Sequence, residues 1–165
     1  MPPADQLAAI EARDLDGGFI GATPARKMKG MAFVVWRREP LVLVLPEAHT
    51  LTEVGDLRWG DLKDLTWVMV SRRAAPAFRR QFSDFSMKHG LAPQIVQESE
   101  RVPAVLTMVA AGLGVTILPQ TAGNLLAKGL ALKKLPNPQP TLCHTFAHRP
   151  ASGSPALKAF LALLR

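Results

Sequence analysis

Ser71-Arg72-Arg73, followed by Arg79 and Arg80, carries the strongest chemical signal in the chain. The β-rich run Thr66-Trp67-Val68-Met69-Val70 reads as a strand, so Ser71 and Arg72 fall just past its C-terminal end. In open α/β sheets that edge is where ligands sit. Pro76 is placed to open a helix, because a missing N–H costs nothing at the first helical position. The free N–H groups of a helix start attract an anion. A guanidinium holds a carboxylate through two parallel hydrogen bonds. Ser71 and Arg72 are therefore read as binding residues for a small organic anion rather than bulk nucleic acid. Arg79 and Arg80 are read as solvating a helix face, since long basic side chains normally lie outside.

Other constellations point away from catalysis. Gly112-Leu113-Gly114 follows a helix and enters a strand, the wrong context for a dinucleotide loop, and reads as a tight helix-to-strand turn. Of His49, His89, His144 and His148, only the last two are close. On a strand their spacing places them about 13 Å apart, too far for one ion, and no acidic neighbour is expected beside them. Cys143 and His144 are adjacent on a strand and point to opposite faces, so they do not pair as nucleophile and base. Cys143 reads as a small buried thiol. Ser71 lacks the Gly-x-Ser-x-Gly elbow of a hydrolase. Glu98 and Glu100 read as exposed carboxylates.

The elements that must position these residues alternate from end to end. A short helix over residues 6–12 leads to a Gly17-to-Gly21 strand that leaves room for close backbone approach. Phe33–Trp36 and Leu41–Leu45 read as two strands separated by Arg37-Arg38-Glu39-Pro40, the second apolar on both faces. After the Thr66 strand, Phe78, Phe82, Phe85 and His89 recur on one helix face that Gly90 ends, a stripe that belongs to packing. A strand at Gln94–Gln97, a helix from Pro103 to Gly112 and a strand at Val115–Leu118 follow. Beyond them come a short helix over Ala122 to Ala127, a strand near Leu132, the stiff Pro136-to-Pro140 linker, a strand at Leu142–Ala147, and a helix opened by Ser154-Pro155. Such alternation means an α/β protein with a largely parallel sheet.

Composition narrows the function further. The chain has 165 residues, 48% of them apolar, enough for its own core. One cysteine excludes an internal disulfide framework and a Cys-rich zinc module, and fits a reducing compartment. No apolar run is long enough to span a membrane. The N-terminus lacks the basic-then-apolar pattern of a secretory signal. Residues 1–60 hold seven Lys/Arg against eight Asp/Glu, whereas residues 61–165 hold thirteen against five. That asymmetry suits a face that meets something anionic.

From about Gln6 to Leu164 the chain resembles the regulatory domain of LysR-type transcriptional regulators. The resemblance rests on ordered pieces: Leu15-Asp16-Gly17-Gly18-Phe19-Ile20 after a short helix, and Glu39-Pro40-Leu41 through Pro46-Glu47-Ala48-His49. Its most specific stretch is His89-Gly90-x-x-Pro93, Gln97-Glu98, then Val109-Ala110-Ala111-Gly112-Leu113-Gly114-Val115-x-Ile117-Leu118-Pro119. Ser154-Pro155-Ala156-Leu157 with Phe160-Leu161 resembles the closing helix.

The resemblance implies a two-lobed α/β fold like that of type 2 periplasmic binding proteins. Residues 1–45 and 136–165 would form the first lobe and 46–135 the second, joined by two crossing strands. An interlobe cleft would take a small anionic or aromatic effector, without any cofactor. Its walls would be the residues after Phe19-Ile20 including Gly21, the Ser71-Arg72 loop, and the start of the next helix at Val102 and Pro103. Effector binding would shift the population of lobe arrangements and so control transcription. The family's N-terminal DNA-binding domain, and the regulatory domain's own first strand, helix and second strand, have no counterpart, so the first lobe is expected to be incomplete. Operator DNA would be met only through that absent domain. Full-length members form homo-oligomers, and a helix that usually contributes lies among the missing segments. The expected setting is cytoplasmic, with no membrane partner. A free-standing solute-binding protein of the same architecture is the alternative. An enzyme on this scaffold is less favoured, because no general base and nucleophile come together.

Overall fold

The computed structural model describes residues 1–24, 27–125, 128–150 and 154–164. Helix α1 (Pro3–Ala12) opens on two prolines, and Arg13 in the left-handed conformation ends it. Ile10 faces inward against Ile20 and Ala147, with Leu7 and Phe33 packed around them. Strand β1 (Gly17–Ile20) lies against β7 (Thr141–His148), which in turn pairs with the first half of β2 (Ala32–Pro46). The paired glycines of β1 serve close approach: a Cβ on Gly17 would come within 2.5 Å of the Phe146 ring.

Strand β2 is continuous over 15 residues, not two runs split at Arg37–Pro40. It continues because each half finds a partner. Ala32 to Pro40 pairs with β7, with a shift of register after Val35, and Leu41 to Pro46 pairs with β5 (Thr116–Pro119) on one side and β6 (Leu130–Lys134) on the other. Leu41 to Leu45 is buried throughout. Leu41, Leu43 and Leu45 point into a core with Phe78 and Phe82 of α2 (Pro76–Lys88). Val44 points the other way, to Leu106 of α3 (Val102–Ala110). Helices on both faces explain why this stretch is apolar without alternation.

Strand β3 (Thr66–Val70) runs parallel to β4 (Gln94–Ser99), with α2 as the crossover. Trp67 and Val115 bridge this pair to the rest: Val68 N donates to Val115 O at 2.8 Å and Val115 N to Thr66 O at 2.9 Å. A side chain at Gly114 would meet the Thr66 carbonyl oxygen at 2.5 Å, so the glycine turn permits this seam. The expected largely parallel sheet is thus found only where a helix crosses over. Every pairing of β2 and β7 is antiparallel.

The short helix expected over Ala122 to Ala127 is a 3₁₀ turn, Gln120–Leu125, and its expected end lies outside the described residues. Helix α4 (Pro155–Leu163) is capped by Ser154 Oγ, which accepts from Leu157 N at 3.3 Å. None of the described helices is long and apolar enough to cross a membrane.

Candidate functional site

A cleft of about 1040 Å³ opens between the two sheets, and three helix starts reach it. Pro3 and Ala4 begin α1, Pro76 and Ala77 begin α2, and Val102 begins α3. Each helix starts there because a proline sits in its first turn. No side chain caps any of the three, and α2 and α3 have no acidic residue in the first turn. Their N-terminal partial positive charge therefore remains available to the cleft.

Charged side chains add to that sign. Lys27, Lys29, Arg72 and Arg80 line the cleft, against Glu11 and Glu100. Glu100 is already engaged, accepting from Arg73 Nε at 2.6 Å. Val70, Phe78, Leu118 and Leu142 supply an apolar floor. Such an arrangement suits an anion with a hydrophobic body.

Of the residues expected here from sequence, Gly21, Arg72 and Val102 line the cleft. Ser71 and Pro103 are not among the lining residues. Ser71 is occupied by the turn itself: its N–H donates to Ser99 O at 2.8 Å, its carbonyl accepts from Ala75 N at 3.0 Å, and its Oγ accepts from Ala74 N at 3.2 Å. Pro103 is exposed in the first turn of α3.

Two arginines behave differently. Arg80 is exposed at the cleft, but Arg79 does not solvate a helix face and is only 4% exposed. Its Nη1 donates to Val70 O at 3.1 Å and to Glu98 Oε1 at 2.5 Å. It thereby ties α2 to the ends of β3 and β4, and the ion pair is what permits a buried guanidinium. Glu98 and Glu100 are correspondingly not a carboxylate pair: each faces its own arginine.

The expectation of no acid beside His144 also fails. His144 lines the cleft, and its Nε2 lies 2.9 Å from Glu39 Oε2. Glu39 is 3% exposed, and its Oε1 accepts from Thr121 N. Burial pushes the Glu39 carboxyl up, but the hydrogen bonds from Thr121 and His144 together outweigh it and hold the group below the usual carboxylate range. Sequence reading missed this pair because the partners are 105 residues apart and meet only through the β2–β7 register. Cys143 is half-buried rather than buried, and Arg38 Nη1 lies 3.4 Å from its sulfur. His89 ends α2 and stacks on Trp59 with ring centroids 3.9 Å apart. Burial and the neighbouring Lys88 charge lower its pKa. Among the described residues no group of three or more His, Cys, Asp or Glu is placed to hold a metal ion.

A model of the family described as LysR substrate binding domain matches residues 1–165. The chain is 32% identical over 162 residues to the HTH-type transcriptional regulator IlvR of Caulobacter vibrioides, covering 96% of this chain and 53% of that protein. It is 31% identical over 122 residues to the HTH-type transcriptional regulator AlsR of Bacillus subtilis, covering 74% of this chain and 40% of that protein. The chain thus spans about half the length of the curated relatives it matches. Among solved structures, the effector binding domain of QuiR in complex with shikimate superposes with a TM-score of 0.86 at 17% identity, covering 99% of this chain and 77% of that one.

Proposed function

Because the chain belongs to the LysR substrate-binding domain family, whose relatives here are transcriptional regulators and not enzymes, we propose that its cleft senses a small organic carboxylate. The observation that carries this reading is the convergence of three helix starts with Lys27, Lys29, Arg72 and Arg80 on one apolar-floored cleft. Backbone N–H groups and a guanidinium together recognise a carboxylate, while Val70, Phe78 and Leu142 receive its hydrophobic body. Arg72 is the charged anchor, Gly21 and Val102 shape the walls, and Ser71 and Pro103 act by building the turn and the helix start behind them.

The reading calls for no cofactor. It takes residues 1–45 and 136–165 as one lobe and 46–135 as the other, with Leu41–Leu45 of β2, beyond the exchange of partners, as a crossing strand. An effector that binds one lobe arrangement more tightly shifts the population toward it. In the full-length protein this domain is the sensing part of a homo-oligomeric, cytoplasmic regulator that meets operator DNA through a separate domain. The names of the relatives and the half-length coverage support that role. The shikimate bound by QuiR is an example of the ligand chemistry.

Thermal unfolding against a panel of small aliphatic and aromatic carboxylates at fixed salt tests the reading. A true effector at a hundredfold excess over its Kd stabilises the fold by about 2.7 kcal/mol. Arg72→Ala should weaken the carboxylate by about tenfold while the ligand-free melt stays in place. A cooperative melt that no carboxylate shifts would sink the proposal.

A further inference from the structure

The hydrogen-bonding sense of His144 is set from behind the cleft wall. Its ring lines the cleft, and its Nε2 meets Glu39 Oε2 at 2.9 Å. Glu39 is buried and also accepts from Thr121 N, so its carboxylate is fixed between the first-lobe strand β7 and the 3₁₀ turn after β5. Its carboxyl is held below the usual range, which keeps it ionised at neutral pH. An ionised carboxylate accepts and never donates. The hydrogen in the contact therefore belongs to His144 Nε2. When the imidazole is neutral it carries a single N–H, so Nδ1 is then bare. Among the described residues Nδ1 has no hydrogen-bond partner, and the side chain is 25% exposed.

We propose that His144, oriented by Glu39, is a specificity-determining residue of the cleft, and that its Nδ1 accepts a hydrogen bond from a hydroxyl of the effector. The ligand class is then a hydroxylated carboxylate. This rests on the carboxylate reading above. The division of roles follows from sign. The helix starts and the cationic side chains take the carboxylate, whereas a bare ring nitrogen repels a carboxylate oxygen and attracts an O–H. Glu39 does not touch the ligand. It is a positioning residue that decides which nitrogen holds the proton. Glu39→Gln keeps the size and an acceptor for Thr121 N, but presents an NH₂ to His144. The ring must then accept at Nε2 and carry its proton on Nδ1, which reverses what it offers the cleft.

Proton–nitrogen correlation spectra of the histidine rings read the tautomer without any ligand. The His144 signals are those lost in His144→Phe. The wild-type ring should show Nε2–H and bare Nδ1 at neutral pH, and Glu39→Gln should exchange them. A wild-type ring protonated on Nδ1, or on both nitrogens, overturns the proposal, whether or not the variant folds. Calorimetric titration then compares benzoate with its monohydroxy derivatives, and cyclohexene carboxylate with shikimate. At least one hydroxylated acid should bind about tenfold tighter than its parent, and the ratio should fall to near one in Glu39→Gln. Equal affinities within every pair, in a protein that binds the acids, overturn the role of His144 and leave the carboxylate cleft standing. Binding of none of the acids overturns both.

Discussion

The two halves of β2 sit in different surroundings. Leu41 to Leu45 runs through a sheet covered on both faces, by α2 and by α3. Ala32 to Pro40 belongs to a sheet backed by α1 on one face, while on the other Trp36 remains 48% and Phe19 41% exposed. These rings still contact each other at 5.0 Å, and Phe19 also meets Phe146 at 5.0 Å. One strand thus passes from a solvent-facing aromatic surface into a closed core. Continuity of backbone pairing does not require continuity of burial. Each half takes its stability from a different source.

Substitutions in the two halves should therefore differ in scale. Leu43→Ala, in the closed core, should cost about 3 kcal/mol by chemical denaturation. A cost below about 1 kcal/mol would mean that this core is looser than its burial implies. Arg79→Ala comes next. Glu98 can turn to water, so the loss is mainly the orphaned Val70 carbonyl and the missing packing, about 2 kcal/mol. Trp36→Ser, on the open face, should cost no more than about 1 kcal/mol, and a larger loss would erase the contrast.

The smallest effect is a slope rather than an offset, and it probes the junction of the halves. Glu39 titrates lower when folded than when unfolded. Its contribution is fully present above the ordinary glutamate range and is lost as pH falls through the lowered value. The stability gap between wild type and Glu39→Gln should narrow with acidification, measured by denaturation at a series of pH values. A gap that widened on acidification would reverse the assignment.

Sequence reached the parts of this fold that are local. The β3–α2–β4–α3–β5 run is legible because each piece is bounded by its own proline or glycine and patterned by its own period. Arg72 can be placed because it falls at a strand end before a helix start. The continuity of β2 is hidden because Arg37-Arg38-Glu39-Pro40 has the composition of a turn, and only distant strands keep it extended. Arg79 looks solvent-facing until Glu98, 19 residues on, is brought beside it. Glu39 and His144 are the extreme case. Neither residue type nor spacing marks them, and the β2–β7 register makes the pair.

That shared register also limits how the gene can change. Side chains alternate along a strand, so one residue added or removed moves every later side chain to the opposite face. In most strands such a slip disturbs one sheet. A single-codon insertion between Arg37 and Val42 would have to shift the pairing with β7, or else the pairing with β5 and β6, because β2 serves both, whereas the unpaired Trp36 lets the β7 side absorb a deletion. Added length should therefore be tolerated in the segments between elements and excluded from this strand.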